Sequence, residues 1–396
     1  MSKRIFTCVA VAALAFGVPS ALSPAKGARV DVTADALLAT VYDEIVRGHL
    51  DVAFQNIEGL IRVKPNFRLA HLIKGDLLLA RAHAISTLGA VPNVPGARTD
   101  GLRAEALARL RAYRERPPVD RVPRYLLQLR EDQRYAVVVD MRRARLYLYQ
   151  NDDGKPLFVA DYYVSSGKNG PLKVREGDEK TPIGVYHVTA SLPQQKLSDF
   201  YGSGAFPINY PNEWDRMQGR NGHGIWLHGT PSDTYSRPPR SSNGCVVLAN
   251  ADLDALARNL QVGLTPVIIS EDVEWLSLDD WADERKAFGS QLEQWRADWE
   301  SLDTERYLSH YSKRFSVAGQ DFEGWSRHKH LVNGSKTWIK VKVSNVSIFR
   351  DPGKDALVLV SFDQEYQSSN LSNTVKKRQY WVREGEHWRI VYEGSS

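Results

Sequence analysis

The chain has 396 residues, of which 25% are charged and 42% hydrophobic, and it carries a net charge of +5. That length suggests two or three domains, and the composition excludes a disordered or low-complexity chain. No basic, aromatic-interleaved cluster accompanies the mild positive charge, so nucleic acid is not an expected partner; the charge suits residence near anionic wall polymers.

Residues 1–25 read as a signal peptide: Lys3 and Arg4, an apolar run from Ile5 to Val18, then small residues up to Ala25. The run is short for a membrane span, so export to the periplasm or cell envelope is the expectation and an uncleaved anchor the alternative. Cys8 leaves with that segment. The mature chain then keeps one cysteine, Cys245, and has no internal disulfide.

Residues 26–118 read as a helical module. Leu37, Leu38, Val41 and Ile45 share one face, and Ala53, Ile57, Leu60 and Ile61 share the next. Pro65-Asn66 breaks the chain before Leu69, Leu72, Ile73 and Leu77 begin a third helix. Gly48, Ala53 and Pro65 stand where a tetratricopeptide-type hairpin places them, but over only about one and a half repeats. A packing or dimerisation module, joining two copies or binding a protein partner, is the plainer expectation. Residues 91–96 form a loop, and a further helix carries Leu102, Ala106, Leu110 and Tyr113 to a stop at Pro117-Pro118.

Over residues 133–270 the period changes to two, as in a mostly β domain. Three strands fill residues 135–167, with Asp153-Gly154 at the second turn. Strand-like runs recur at 184–190, 224–227, 245–248 and 265–270, with a short helix at 251–259. Eight of the ten tryptophans follow Ser270, which marks residues 280–396 as a separately built domain. There Leu292, Trp295, Trp299 and Leu302 form a helical stripe, and strands follow at 337–346, 356–362, 377–383 and 388–392. A helix-first, curved-sheet α+β domain is the expectation.

An exported chain that keeps one thiol either buries it inertly or uses it. A cysteine nucleophile needs a base. His228 ends a short strand seventeen residues before Cys245, which begins the next one. The Ser242-Asn243-Gly244 turn would leave backbone N–H groups facing a developing oxyanion. Spacing alone leaves an inert thiol open. His223 and His228 have the offset of a metal pair, but five residues along a strand put them on opposite faces, and no carboxylate lies between them. No metal and no cofactor are expected, and His223 reads as a loop residue beside the pocket. Arg237 and Arg240 either hold substrate carboxylates through paired donors or are solvated loop charges. Tyr210 is a candidate wall of the cleft; Trp226 reads as core.

These residues resemble a known family. His228-Gly229 and Ser242-Asn243-Gly244-Cys245, together with GDEKTPIGVY at 177–186 and TPVII at 265–269, resemble the YkuD-type L,D-transpeptidases of peptidoglycan. The likeness covers residues 135–270. Asn243 and Val247 stand where the commonest family motif has His and Arg. The Ser-Asn-Gly-Cys version looks like the subgroup that trims murein peptides by L,D-carboxypeptidase action and helps to set cell shape. The last domain resembles the nuclear-transport-factor-2-like cone fused to such enzymes, through its long helix, FEGWSRHKH at 322–330 and its aromatic strands. In such a cone Trp295, Trp299, Trp338 and Trp388 either line a pocket for a glycan or protein ligand or are core.

The resemblance implies a mechanism without a cofactor. Cys245, activated by His228 and with Gly229 orienting the imidazole, attacks the carbonyl at the L-centre of diaminopimelate in a stem tetrapeptide. Amides of Gly244 and Cys245 form the oxyanion hole, D-alanine leaves, and the thioester is resolved by an amine or by water. Hydrolysis of a wall-linked lipoprotein is a third option, and a non-catalytic wall-binding scaffold is the competing class. A thiolate paired with histidine would alkylate quickly below neutral pH.

Overall fold

The helical stripes become α1 (Ala34–Val46), α2 (Leu50–Val63), α3 (Arg68–Leu79) and α4 (Ala97–Arg114). Leu38, Val41, Ile57, Leu60, Leu69 and Ile73 meet in one buried core. The structure is a computed structural model that describes residues 33–395, except residues 86, 90–96, 119, 318 and 355. The signal-peptide reading and the 91–96 loop lie outside the described residues. No described helix is long and apolar enough to cross a membrane.

Two short strands follow, β1 (Arg121–Pro123) and β2 (Leu126–Gln128), and then the sheets of the mostly β domain. β3 (Tyr135–Asp140), β4 (Arg145–Asp152) and β5 (Lys155–Tyr163) form a meander. Asp153 and Gly154 turn its second corner with φ of +53° and +83°, the left-handed pair that a two-residue hairpin favours. Next come β6 (Ser166–Gly167), β7 (Gly184–His187), β8 (Leu192–Pro193), β9 (Gly204–Pro207), α5 (Glu213–Met217) and β10 (Trp226–His228). β11 (Arg240–Ser242), β12 (Val246–Val247), α6 (Asn250–Ala257) and β13 (Pro266–Ser270) complete the domain. β13 inserts between β3 and β7 to give the order β5-β4-β3-β13-β7, while β12-β10-β9-β8 make a second sheet. Val137 and Val139 of the first sheet, Leu227 and Val246 of the second, and Leu253 and Leu256 of α6 share one core.

After β14 (Trp275–Ser277) comes the long α7 (Leu278–Glu300), capped by Ser277, whose hydroxyl accepts from the Asp280 N–H at 3.1 Å. α8 (Thr304–Ser309), β15 (Ser316–Val317), β16 (Gln320–Asp321) and α9 (Phe322–Gly334) precede four long antiparallel strands: β17 (Ile339–Arg350), β18 (Leu357–Ser368), β19 (Ser372–Glu384) and β20 (His387–Ser395). Phe288, Leu292, Trp295 and Trp299 of α7 fill the hollow of that sheet against Phe362, Tyr366 and Trp381. The architecture has the three expected parts: a helical module, a mostly β domain and an α+β cone.

Two features go beyond the sequence reading. The last domain is also joined to what precedes it: β2, upstream of β3, pairs with β17, and β1 pairs with β14. Ala136, Val138, Tyr147 and Ile268 also share a hydrophobic cluster with Phe349, Leu359 and Tyr380. Of the four tryptophans read as either a pocket lining or core, Trp295 and Trp299 are core, buried against Tyr307 and Tyr366. Trp388 packs on Phe288 at 5.5 Å, and only Trp338 of the four is exposed.

Candidate active site

The site begins with a strand register. β10 pairs in parallel with β12, Leu227 opposite Val246 and His228 opposite Val247. Side chains two residues apart on a strand share a face, so Cys245, just before β12, lies on the same side as His228 and diagonal to it. The ladder continues past the imidazole, with the Leu248 N–H donating to the His228 carbonyl at 2.9 Å.

His228 is buried, and its Nδ1 lies 2.7 Å from the Gly229 carbonyl oxygen. A carbonyl only accepts, so Nδ1 carries the proton and Nε2 keeps a lone pair. Burial is the main force on this ring; it outweighs the Gly229 carbonyl and, helped by the Arg237 charge, lowers the pKa to about 4. Tyr201 meets the ring edge-on at 5.1 Å and Phe200 lies at 5.8 Å. Burial thus favours a neutral imidazole in an aromatic setting.

The Cys245 thiol is half-buried and donates to the Gly224 carbonyl at 3.3 Å. Burial pushes its pKa up, while the Trp226 N–H and the charges of Arg237 and Lys173 favour the thiolate. Resting thiol and resting imidazole are therefore both neutral. This differs from the preformed ion pair expected from the sequence, and desolvation is the reason.

The nucleophile's turn is tied internally. The Ser242 hydroxyl accepts the Gly244 N–H at 3.1 Å and donates to the Cys245 carbonyl at 2.6 Å. The Gly244 amide is thus occupied rather than aimed at an oxyanion, which corrects the sequence expectation. Gly244 has φ of +124°, and a Cβ there would stand 2.8 Å from the Lys180 carbonyl, so no other residue fits comfortably. Buried Thr181 donates its hydroxyl to the Gly244 carbonyl at 2.9 Å and accepts the Gly167 N–H at 2.8 Å. The upstream motif and the nucleophile turn are one hydrogen-bonded unit. Asp178 in the same motif is held at about 2: burial opposes its charge, but Lys173 and three backbone N–H groups outweigh that.

Arg237 is the other member of the group, its guanidinium 4.7 Å over the Phe200 ring. Asn243 is exposed at the rim. Three further candidates have other partners. His223 is exposed and lies 3.5 Å from Glu176. Arg240 lines a cavity of about 680 Å³ against α4, together with Arg111 and Arg142. Tyr210 is core: it is buried, and its hydroxyl donates to the Asn221 carbonyl at 3.0 Å. Trp226 is half-buried, 4.8 Å from Tyr201.

The sequence reading missed Lys173, Phe200, Tyr201 and Asn250. Asn250 opens α6, where asparagine ordinarily caps its own helix. Instead its Oδ1 accepts the N–H groups of Thr230 and Ser203 at 3.0 and 3.1 Å, and its Nδ2 donates to the Thr230 carbonyl at 2.9 Å. No spacing rule announces such a long-range clamp.

With this geometry in place, comparison with known proteins is specific. The profile of the L,D-transpeptidase catalytic domain, YkuD, matches residues 134–269, and that of the Cds6 C-terminal NTF2-like domain matches residues 287–394. Bd1075 of Bdellovibrio bacteriovorus is 30% identical, with a TM-score of 0.63 over 70% of this chain and 98% of that one. The helical cell shape determining protein Pgp2 of Campylobacter jejuni is 27% identical, with a TM-score of 0.57 over 68% of this chain and 95% of that one. No curated protein matches the chain. The matched catalytic domain and the near-complete coverage of Bd1075 show that the chain belongs to the YkuD-type L,D-transpeptidase family of peptidoglycan-modifying enzymes, in the form that carries a C-terminal NTF2-like domain.

Proposed function

We propose that this is an exported, periplasmic acyltransferase acting on peptidoglycan stem tetrapeptides, with Cys245 as nucleophile and His228 as base. The parallel register of β10 and β12 carries the reading, because it sets thiol and imidazole on one face. Nε2 of His228 takes the thiol proton as Sγ bonds to the carbonyl carbon at the L-centre of diaminopimelate. Coupling the two events suits a neutral pair, since no buried charge exists before substrate arrives. The oxyanion is met by the Cys245 N–H, the Gly244 N–H being held by Ser242. The C–N bond then breaks, the imidazolium returns its proton to the departing amine of D-alanine, and a thioester remains.

An amine of a second stem attacks that thioester and yields a cross-link. Water as acceptor, giving L,D-carboxypeptidase action, is the second reading. It is favoured by Asn243, exposed at the rim where the commonest family motif has histidine. The test is mass spectrometry of a disaccharide tetrapeptide incubated with the purified enzyme. Dimers joined between two diaminopimelate residues support the amine, and monomeric tripeptide alone supports water. An unchanged substrate overturns both and leaves a wall-lipoprotein hydrolase or a wall-binding scaffold.

A further inference from the structure

Between imidazole and thiol the chain leaves the catalytic sheets. Residues 229–239 run out across the helical module before returning in β11. Tyr235 packs against the module's buried core, its ring 4.6 Å from Phe67, and its N–H donates to the Asn66 carbonyl at 3.2 Å. Asn66 donates in turn to the Ser232 carbonyl at 3.0 Å. The Ser236 hydroxyl donates to buried Glu105 at 2.6 Å. α4 lies so close that a Cβ on Gly101 would stand 2.9 Å from the Pro238 ring.

Arg109 is the centre of this seat. It is 3% exposed, pairs with Asp35 at 2.6 Å and Glu105 at 2.9 Å, and lies 3.9 Å over the Tyr163 ring. The Tyr163 hydroxyl donates to the Arg237 carbonyl at 2.9 Å. One buried guanidinium therefore reaches the loop twice, through Glu105 to Ser236 and through Tyr163 to Arg237. A buried ion network of this kind adds little net stability, but it fixes one geometry. Arg237, at the end of the second route and next to Ser236 at the end of the first, is the loop's charge over Phe200, whose ring lies against His228, and its charge also acts on Cys245.

We propose that Arg109, Glu105 and Tyr235 are positioning residues for the Cys245–His228 pair: the helical module seats the 229–239 loop and so holds Arg237 beside the reacting atoms. This rests on Cys245 being the nucleophile. The module assigned from sequence to packing or dimerisation becomes part of the active-site scaffold.

The test is the pH profile of Cys245 alkylation by iodoacetamide, followed by mass spectrometry on the full mature chain, with melting temperature read alongside. Arg237→Gln should move the alkylation midpoint upward by roughly half a unit to one unit. Tyr235→Leu and the milder Ser236→Ala should move it the same way, and Tyr235→Leu with Arg237→Gln should shift it by less than the sum, because both act through one guanidinium. A merely structural contact would lower the melting temperature and leave the midpoint alone. Wild-type midpoints in folded Tyr235→Leu and Ser236→Ala proteins overturn the proposal. Wild-type turnover by Cys245→Ala overturns instead the reading on which it rests.

Discussion

A Cβ on Gly229 would stand 2.0 Å from Oδ1 of Asn250. The residue whose carbonyl meets the His228 imidazole, the proposed base, is therefore pressed against an asparagine that also holds both polar groups of the Thr230 backbone. Asn250→Ala leaves that buried N–H and C=O unpaired, at a cost on the order of 1–3 kcal/mol each. We expect a lower melting temperature and, as the imidazole drifts, a kcat reduced roughly tenfold to a hundredfold with a smaller change in KM. Steady-state kinetics of a folded variant check this; an unchanged kcat would contradict it.

The neutral resting pair gives a second expectation. Burial raises the Cys245 pKa and lowers that of His228 to about 4, so alkylation should be slow at neutral pH and rise on the alkaline side. His228→Gln should cut turnover by roughly two to four orders of magnitude, yet leave alkylation at high pH nearly intact. Fast alkylation in mild acid would show a preformed ion pair instead.

Stability should also depend on two histidines. Burial lowers His187 to about 4, with Arg378 adding to the effect, and it lowers His228 to the same value. From their ordinary value of 6.5 down to about 4, the unfolded chain binds protons that the folded chain refuses, so stability falls as pH falls and levels off below that window. Each group accounts for on the order of 3 kcal/mol. His187→Gln, away from the thiol, should lose less melting temperature than wild type between neutral pH and the bottom of that window. Parallel curves would contradict it.

Much of this was legible in sequence because it is local. The helical stripes, the Asp153-Gly154 hairpin, His228 at a strand end and Cys245 on the turn before the next strand each follow from nearby spacing and turn chemistry. The joint between domains was written less plainly. Residues 136–139 read Ala-Val-Val-Val, an unbroken apolar run where a half-exposed strand alternates, and such a run means that both faces are covered. Val137 and Val139 face the catalytic core while Ala136 and Val138 face the cluster shared with the C-terminal sheet. The run revealed that a cover exists; only the fold revealed what it is. The surroundings of Arg240 and Tyr210 were hidden for a related reason, since a loop position fixes neighbours along the chain but not the direction of a side chain.

That shared cluster yields a fourth expectation. Removing residues 280–396 would bare Val138, Tyr147, Val185 and Ile268 and strand β2 without its partner β17. The truncated chain should associate or lose fixed tertiary structure, as judged by size-exclusion chromatography and near-ultraviolet circular dichroism. A monodisperse product with the melting temperature of the whole protein would contradict it.

The most direct measurement is the intact mass of the enzyme acid-quenched during turnover of a disaccharide tetrapeptide. The expected result is an adduct of the substrate less D-alanine, carried on Cys245 as a thioester, released by hydroxylamine and absent from Cys245→Ala. Turnover that persists in Cys245→Ala, with no adduct on the wild-type chain, would contradict a cysteine acyl-enzyme outright.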